Sequence, residues 1–190
     1  MSRPTIILVR HGRTQLRSDQ RIRGTGLAAF VDRVNASGIA ATPAPSGELC
    51  KRVSKAGLVV CSDLLRAVES ARMLAPLQTP VADALFREAA LPTGIRVPIL
   101  LRAHTWAAIS RALWLLGWSG SGESLIEARS RAGQAADRLI YYSRERGSVA
   151  LVAHGVINQL ITRQLRARGW QGRWVMRLGN WSSSTFIDEV

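Results

Sequence analysis

The sequence contains few cysteines and few lysines. Its two cysteines, Cys50 and Cys61, are not closely spaced and no histidine pattern accompanies them, which argues against a zinc site. Cys61 ends an apolar run, where a buried and inert thiol is expected. Lys51 and Lys55 are the only lysines, so arginine supplies nearly all of the positive charge. Because the cysteines and histidines form no metal-binding pattern, we expect a protein that works without a metal ion or another cofactor.

Long apolar runs are also absent. No segment approaches the roughly 20 apolar residues that a membrane-spanning helix needs. The N-terminal apolar run, Thr5 to Val9, is followed directly by Arg10 and is too short for a signal peptide. We expect a cytoplasmic protein with no membrane partner. The 190 residues, 47% hydrophobic and 21% charged, favour one folded domain over residues 1–190 rather than a disordered chain.

Positive charge strongly exceeds negative charge, with 26 basic against 13 acidic side chains and a formal net charge of +13. Such a balance can indicate a nucleic acid, an anionic membrane surface or a polyanionic substrate, or it can reflect arginine usage in the source genome. A nucleic-acid groove would show a dense arginine block or an alternation of arginine with aromatic residues, and the chain has neither. A nucleic acid is therefore not the expected partner.

The pattern of apolar residues predicts alternating strands and helices. Strands are predicted at 5–9, 57–61, 81–86, 148–153, 173–178 and 184–188. Helices are predicted at 26–37, 64–75, 104–116, 123–145 and 156–168, with a loop at 41–48 and Ser62 or Asp63 as the N-cap of the second helix. This alternation predicts an α/β fold, a three-layer sandwich whose largely parallel central sheet carries helices on both faces.

Two of the three histidines occupy matching positions. His11 lies in LVRHG and His154 lies in LVAHG, so each follows an apolar strand and precedes a glycine. In open α/β sheets, ligands bind beyond the carboxyl ends of the strands, so the two imidazoles could converge on one ligand. A lone histidine at a strand end is more often structural, but the matched pair favours a site. His104 has no such context, and we interpret it as a helix-start or surface residue.

A third strand end carries the segment CSDLLRA. Arg66 in this segment would lie in the first turn of the following helix, and its guanidinium could reach back over the strand end. The N-terminus of that helix also favours an anion. Read alone, Arg66 would be a surface ion-pair residue. Together with Arg10, His11 and His154 it would form a compact cationic pocket, in which the planar arginine fork suits phosphate oxygens.

The three segments together resemble the histidine phosphatase superfamily, which includes the cofactor-dependent phosphoglycerate mutases. The matching motifs are RHG after a strand, SDLxRA in the middle and AHG near the end, and the resemblance spans about residues 4–187. It implies a phosphoglycerate mutase-like fold. It also implies that His11 attacks phosphorus and carries the phosphoryl group covalently. Arg10, Arg66 and His154 would hold the phosphoryl oxygens.

The resemblance also implies a carboxylic acid that protonates the leaving oxygen and later activates water. In this family it is often a glutamate 20 to 30 positions after the motif arginine, and Glu88 occupies that place. Asp63 and Asp83 are the rival acids, and Glu88 could instead be a solvated loop residue beside Arg87. The predicted catalytic residues are then His11, Glu88 and His154.

Two weaker similarities concern the C-terminal half of the chain. Glu123 lies in a Gly-Glu-Ser segment that opens a helix in many members of the family. We expect Glu123 to lie in the first helical turn, where the helix dipole favours a carboxylate, and we assign it no catalytic role. Asn180 and the serines 182–184 lie where some relatives bring a small polar residue toward the phosphate.

The sequence departs from the mutases after the first motif. Thr14 keeps a hydroxyl where they have serine, and Arg17 stands where they have asparagine. We predict both Thr14 and Arg17 as phosphate-binding residues. The departures, and a chain too short for extra cap segments, favour hydrolysis over phosphoryl re-transfer. The predicted function is a metal-independent phosphatase that hydrolyses phosphate monoesters through a phosphohistidine on His11. The alternatives are an inactive phospho-ligand- or protein-binding member, or a phosphomutase.

The substrate is expected to be small and phosphorylated. Four arginines follow the nucleophile closely and favour a substrate with more than one anionic group; they are Arg13, Arg17, Arg21 and Arg23. A stripe formed by Trp106, Trp114 and Trp118 is typical of core packing or of an oligomer contact.

Overall fold

The structure is a computed structural model that describes residues 3–120, 122–172 and 179–188. In chain order its elements are β1 (Thr5–Arg10), β2 (Arg21–Arg23), α1 (Leu27–Ala36), α2 (Gly47–Ser54), β3 (Leu58–Cys61), α3 (Leu65–Leu74), β4 (Val81–Ala82), β5 (Leu100–Arg102), α4 (Ala103–Leu115), α5 (Leu125–Arg146), β6 (Ser148–Ala153), α6 (Gly155–Ala167), β7 (Gln171–Gly172) and β8 (Ser183–Ile187). Short 3-10 turns lie at Gly24–Gly26 and Ala84–Phe86.

A six-stranded sheet in the order β4-β3-β6-β1-β8-β7 forms the centre of the fold. Strands β4, β3, β6 and β1 are parallel, whereas β8 runs antiparallel to β1 and β7 antiparallel to β8. The largely parallel sheet confirms the fold class that the alternation of strands and helices predicts. Strands β2 and β5, which the sequence patterns do not predict, form a separate antiparallel pair.

The central strands are continuous apolar runs because helices cover both faces of the sheet. Ile6 and Leu151 belong to the core cluster on one face, with residues of α5 and α6. Ile7 and Val152 belong to the cluster on the other face, with residues of α2 and α3. Burial of each such side chain contributes about 1.5–3 kcal/mol to folding. Trp114 of α4 also belongs to the first cluster.

Several predicted boundaries are wrong for local reasons. The predicted loop at 41–48 overlaps α2, whose N-cap Ser46 accepts a hydrogen bond from the Leu49 amide at 3.2 Å. The predicted strand at 81–86 stops at Ala82, because Asp83 caps the 3-10 turn that follows by accepting from the Leu85 amide. The predicted strand at 173–178 lies outside the described residues.

Two predicted helix starts also move. The N-cap of α3 is Leu64 rather than Ser62 or Asp63, and the Ser62 hydroxyl instead accepts from the Leu64 amide. Helix α5 begins at Leu125, because Ser124 forms a capping box with Glu127. Glu123 therefore lies before the helix, and the prediction that it serves the helix dipole from within the first turn is wrong. No helix in the described ranges is long and apolar enough to span a membrane.

Candidate active site

The carboxyl ends of β1 and β6 bring the two matched histidines together. These strands are parallel neighbours in register, with Arg10 opposite Ala153, so the next residue of each strand points to the same edge of the sheet. The rings of His11 and His154 lie with their centroids 5.0 Å apart and their planes at 62°. Only 7% of His11 and 1% of His154 is exposed. The sheet register thus builds a buried pair of imidazoles.

A backbone carbonyl determines which ring nitrogen of His11 carries the proton. Its Nδ1 lies 2.6 Å from the carbonyl oxygen of Gly12, which can only accept, so Nδ1 carries the proton. Burial lowers the pKa of His11 to about 3, with Arg66 and Arg10 adding to the effect and the Gly12 contact opposing it. The ring is therefore neutral near pH 7, and its Nε2 holds a free lone pair.

The ring of His154 has the opposite arrangement. The Arg66 Nε, which can only donate, lies 3.3 Å from His154 Nδ1, so this nitrogen accepts and Nε2 carries the proton. Burial, with the nearby charge of Arg66, lowers the pKa of His154 well below its usual value. The Nε2 of His154 is buried and has no hydrogen-bond partner among the described residues. One ring therefore offers a lone pair, and its neighbour offers an N–H.

Two arginines flank the histidine pair. Arg66, only 4% exposed, is held by its Nη1, which donates to the Val34 carbonyl at 3.0 Å and to Asn35 Oδ1 at 3.3 Å. Arg10 ends β1, and its Nε is buried without a partner in the described part of the chain. Burial lowers the pKa of both guanidinium groups, and Glu88 partly opposes this. These cations lie where an anion would bind beside the histidines.

Gly12 is required by the packing around this site. Its amide donates to Ser70 Oγ at 2.9 Å, and Ser70 in turn donates to the Arg66 carbonyl at 2.6 Å. A Cβ at position 12 would overlap the ring of Trp181. Asn180 donates through Nδ2 to the His11 carbonyl at 3.1 Å. These contacts fix the backbone on both sides of His11.

Of the three acids considered in the sequence, only Glu88 lines the cavity that contains His11 and His154. Its carboxylate accepts hydrogen bonds from the amides of Val156 and Ile157, at 3.1 Å and 2.9 Å, in the first turn of α6. Asp63 is bound on both oxygens by Arg87, at 2.7 Å and 2.6 Å. Asp83 caps the turn before Glu88. The helix N-terminus therefore positions Glu88 beside the histidines.

The cavity has a volume of about 940 Å³. The histidine pair and its arginines form one part of its lining, and further residues come from the segment 13–18 after His11, from α1 and α4, and from the loop after Glu88. Asp32 of α1, an exposed acid that the sequence reasoning did not consider, also lines it. No group of three or more histidine, cysteine, aspartate or glutamate side chains among the described residues is arranged to hold a metal ion.

A family match decides the classification. The model of the family described as "Histidine phosphatase superfamily (branch 1)" matches residues 6–187. The chain belongs to the histidine phosphatase superfamily. This membership confirms the resemblance drawn from the three motifs and the phosphoglycerate mutase-like fold that it implies. Comparison with curated proteins gives no match.

Solved structures that share the fold include phosphatases and a mutase. A histidine-to-alanine variant of phosphoserine phosphatase from Entamoeba histolytica, in complex with phosphoserine, is 16% identical with a TM-score of 0.63, and the match covers 96% of this chain and 90% of that chain. The mycobacterial glucosyl-3-phosphoglycerate phosphatase with VO3 is 20% identical with a TM-score of 0.62, covering 96% and 92%. Phosphoglycerate mutase from Bacillus anthracis is 16% identical with a TM-score of 0.62, covering 97% and 88%. At these identities the similarity shows the fold alone.

Thr14 and Arg17 of this histidine phosphatase line the outer part of the cavity. Thr14 Oγ1 lies 3.4 Å from the Leu16 carbonyl, to which it donates. The side chain of Arg17 is 78% exposed and forms an ion pair with Asp19 at 2.7 Å. The structure therefore places Arg17 at the mouth rather than beside the histidines. Asp19, two residues further along, is the sequence signal for this ion pair.

The remaining charged candidates divide between the cavity and the surface. Arg13 lines the cavity, whereas Arg21 and Arg23 lie on β2 outside it. His104 is exposed near the start of α4, as the sequence suggests, and its ring also lines the cavity, with Nδ1 3.1 Å from the Ser18 carbonyl. Arg111 of α4 lines the cavity too, although sequence reasoning missed it. The sequence signal that could have found Arg111 is a single arginine on the buried face of a helix that carries almost no other charge.

Glu123 and Arg131 form a clamp on the segment that carries Glu88. Arg131 donates to both carboxylate oxygens of Glu123 at 2.7 Å, and its Nη1 donates to the carbonyls of Leu85 and Arg87 at 2.9 Å and 2.8 Å. Both side chains are only about one-fifth exposed, at 21% and 20%. The clamp therefore ties α5 to the residue directly before Glu88. This contact is the role of Glu123 that the helix-dipole interpretation missed.

Removing the clamp should destabilise the fold. We expect Arg131→Met to lower the free energy of unfolding by about 2 kcal/mol, because it leaves the Glu123 carboxylate and two carbonyls without their donor. Urea denaturation measures this change. The matched control is Arg168→Met, which removes a bidentate pair with the exposed Asp137 and should change the free energy by less than about 1 kcal/mol. Equal effects of the two variants on the free energy of unfolding would contradict a stabilising role for the clamp.

The buried neutral histidines should make stability depend on pH. A histidine in the unfolded chain titrates near pH 6.5, whereas burial lowers the pKa of His11 to about 3. Between these values the unfolded state binds more protons, so the free energy of unfolding decreases as the pH falls, by up to about 1.4 kcal/mol per pH unit. Between pH 6.5 and 5, the wild type should lose about 2 kcal/mol more than His11→Gln.

Denaturation with urea at several pH values tests this expectation. The matched control is His104→Gln, which removes an exposed ring. A wild type and a His11→Gln variant with parallel pH dependence would show that His11 is not held neutral by the fold.

Proposed function

We propose that this histidine phosphatase hydrolyses phosphate monoesters through a phosphohistidine on His11, without a metal ion or another cofactor. The observation that carries the proposal is the complementary protonation of the two imidazole rings. His11 presents the lone pair of Nε2, while His154 presents a buried N–H that has no partner among the described residues. A nucleophile next to an unpaired donor is the arrangement that in-line transfer of a phosphoryl group needs.

In the first step, the lone pair of His11 Nε2 forms a bond to phosphorus while the bond between phosphorus and the leaving oxygen breaks. Arg10, Arg66 and the N–H of His154 donate to the phosphoryl oxygens and stabilise the charge that spreads over them. Glu88 donates a proton to the leaving oxygen, so that the alcohol departs neutral. Each positioned donor of this kind is worth about 10²–10³ in kcat.

In the second step, Glu88 accepts a proton from a water molecule whose oxygen attacks phosphorus. The bond between phosphorus and Nε2 breaks, its electron pair returns to the ring, and inorganic phosphate leaves. The amides of Val156 and Ile157 hold the Glu88 carboxylate in one place for both proton transfers. Glu88 thus acts first as an acid and then as a base, as microscopic reversibility requires for the two half-reactions.

Thr14 and Arg17 would act at the outer part of the same cavity. Arg17 could approach a bound phosphate by leaving its ion pair with Asp19. An exposed ion pair of this kind contributes at most about 1 kcal/mol, so its exchange for a phosphate contact is inexpensive. The departures from the mutase pattern at Thr14 and Arg17 favour hydrolysis over re-transfer to a second substrate.

Hydrolysis of 4-nitrophenyl phosphate with EDTA present tests the proposal. We expect sustained turnover that releases phosphate and nitrophenol in equal amounts. A phosphomutase would instead release less phosphate than nitrophenol when an acceptor alcohol is added. Failure to hydrolyse the ester, or activity that chelation removes and a metal ion restores, would contradict the proposal.

A further inference from the structure

Arg111 is a further arginine of the cavity lining, in addition to Arg10 and Arg66 beside the histidines and to Arg13, Arg17 and Arg87. Apart from His104, it is the only side chain of α4 that can carry a charge. Its guanidinium lies over the ring of Trp114, 4.6 Å from the centroid, and its Nη2 donates to the Ala89 carbonyl at 2.9 Å. Trp114 is itself buried and donates through Nε1 to the Glu123 carbonyl at 2.8 Å. The guanidinium is therefore held in one position by rigid neighbours.

The charge of Arg111 forms no direct ion pair with the described residues. Burial lowers its pKa, and Glu88 and Glu123 partly oppose this from a distance. Both carboxylates are bound elsewhere, Glu88 by amides of α6 and Glu123 by Arg131. The Nη1 of Arg111 is buried and finds no hydrogen-bond partner in the described part of the chain. A buried donor on an unpaired cation is unfavourable, and few native polar atoms are left in this state unless a ligand completes them.

The position of Arg111 relative to Glu88 indicates which part of a substrate it would meet. Arg10 and Arg66 flank His11, so the phosphoryl group lies with them. Glu88, as the proposed acid, marks the leaving oxygen. The carbonyl that Arg111 contacts belongs to Ala89, the residue directly after Glu88. An alcohol part that extends from Glu88 along Ala89 would meet the guanidinium of Arg111.

We propose that Arg111 binds a carboxylate on the alcohol part of the substrate, so that the enzyme prefers phosphate monoesters whose alcohol carries this second anionic group. The proposal rests on the proposed phosphatase function. One guanidinium with one positive charge matches a singly charged carboxylate. Its remaining N–H groups can donate to carboxylate oxygens without leaving Trp114 or Ala89.

Matched pairs of esters test the proposal by steady-state kinetics. Phosphoglycolate is compared with 2-hydroxyethyl phosphate, and 4-phosphooxybutanoate with 4-hydroxybutyl phosphate, so that each pair differs only in a carboxylate. For at least one pair, the wild type should favour the carboxylated ester in kcat/KM by about tenfold or more. Arg111→Met should lose about 10- to 100-fold on that ester and less than about threefold on its neutral partner.

Two further variants sharpen the result. Arg111→Lys keeps the charge but not the planar fork, and should retain part of the preference. Arg129→Met removes an exposed arginine of α5 outside the cavity, and should leave the preference unchanged. If Arg111→Met does not fold, the lysine variant and inhibition of the wild type by carboxylated against neutral phosphonates give the same comparison.

The outcomes separate this proposal from the proposed function. Absence of a preference for carboxylated esters at both lengths, or an equal loss on both members of a pair in Arg111→Met, would overturn the role of Arg111 while the phosphatase activity stands. If the wild type hydrolyses no ester, including 4-nitrophenyl phosphate, the proposed function fails. Calorimetric binding of the same phosphonates to the wild type and to Arg111→Met then still tests Arg111.

Discussion

Replacement of His11 by alanine is expected to lower kcat for 4-nitrophenyl phosphate by about 10⁴-fold or more. The variant lacks the Nε2 lone pair, and the neighbouring ring cannot replace it, since the Nε2 of His154 is protonated because its Nδ1 accepts from Arg66. Stopped and continuous assays of nitrophenol release measure the change.

Binding should survive this substitution. Arg10, Arg66 and His154 remain, so His11→Ala should still bind inorganic phosphate or vanadate in a calorimetric titration. The histidine control is His104→Ala, whose exposed ring belongs to the cavity lining and hydrogen-bonds the Ser18 carbonyl; it should stay within about tenfold of the wild type. Wild-type turnover in His11→Ala would contradict the assignment of His11 as the nucleophile.

Replacement of Glu88 by glutamine is expected to lower kcat by about 10²–10⁴-fold for alkyl phosphates. An alkoxide is a poor leaving group and needs the proton that Glu88 supplies. Nitrophenolate departs without one, so the first step with 4-nitrophenyl phosphate should change much less. The measurement is kcat/KM against the pKa of the leaving alcohol, whose dependence should steepen in Glu88→Gln.

The rival acids provide the controls for this experiment. Asp63 is bound on both oxygens by Arg87, and Asp83 caps the turn before Glu88, and neither lines the cavity. Asp63→Asn and Asp83→Asn should therefore retain the wild-type dependence on the leaving group. If one of these variants shows the steeper dependence while Glu88→Gln does not, the acid has been assigned to the wrong residue.

The sequence predicts the centre of this fold because buried parallel strands are short, continuous and apolar. Three such runs correspond to β1, β3 and β6, and their ends carry His11, Arg66 and His154. Parallel strands in register bring these ends to one edge of the sheet. The juxtaposition of the two histidines was thus predictable from local patterns alone.

Other features depend on contacts between distant segments and were missed. Arg131 binds carbonyls more than 40 residues away, at Leu85 and Arg87, and no local pattern reports such a pairing. Arg111 likewise contacts Ala89 across 22 residues. Helix α2 was not predicted at all, because the prolines and the glycine at 43–47 indicated a loop, although Ser46 is a good N-cap.

Arg17 shows how a local contact can be overlooked in sequence reasoning. Its assignment to phosphate came from the position of an asparagine in related mutases, whereas its own neighbour Asp19 offers an ion pair within two residues. The structure shows the local pair, with Arg17 at the mouth of the cavity. A phosphate contact by Arg17 stays a prediction.

Trapping the phosphorylated enzyme tests the central claim most directly. Glu88→Gln, which should slow the attack of water, is mixed with radiolabelled 4-nitrophenyl phosphate, quenched in alkali and analysed by peptide mass spectrometry. We expect a label that is stable to alkali, labile to acid and located on His11. A label on His154, on a serine or on an aspartate, or the absence of any phosphorylated enzyme during turnover, would contradict it.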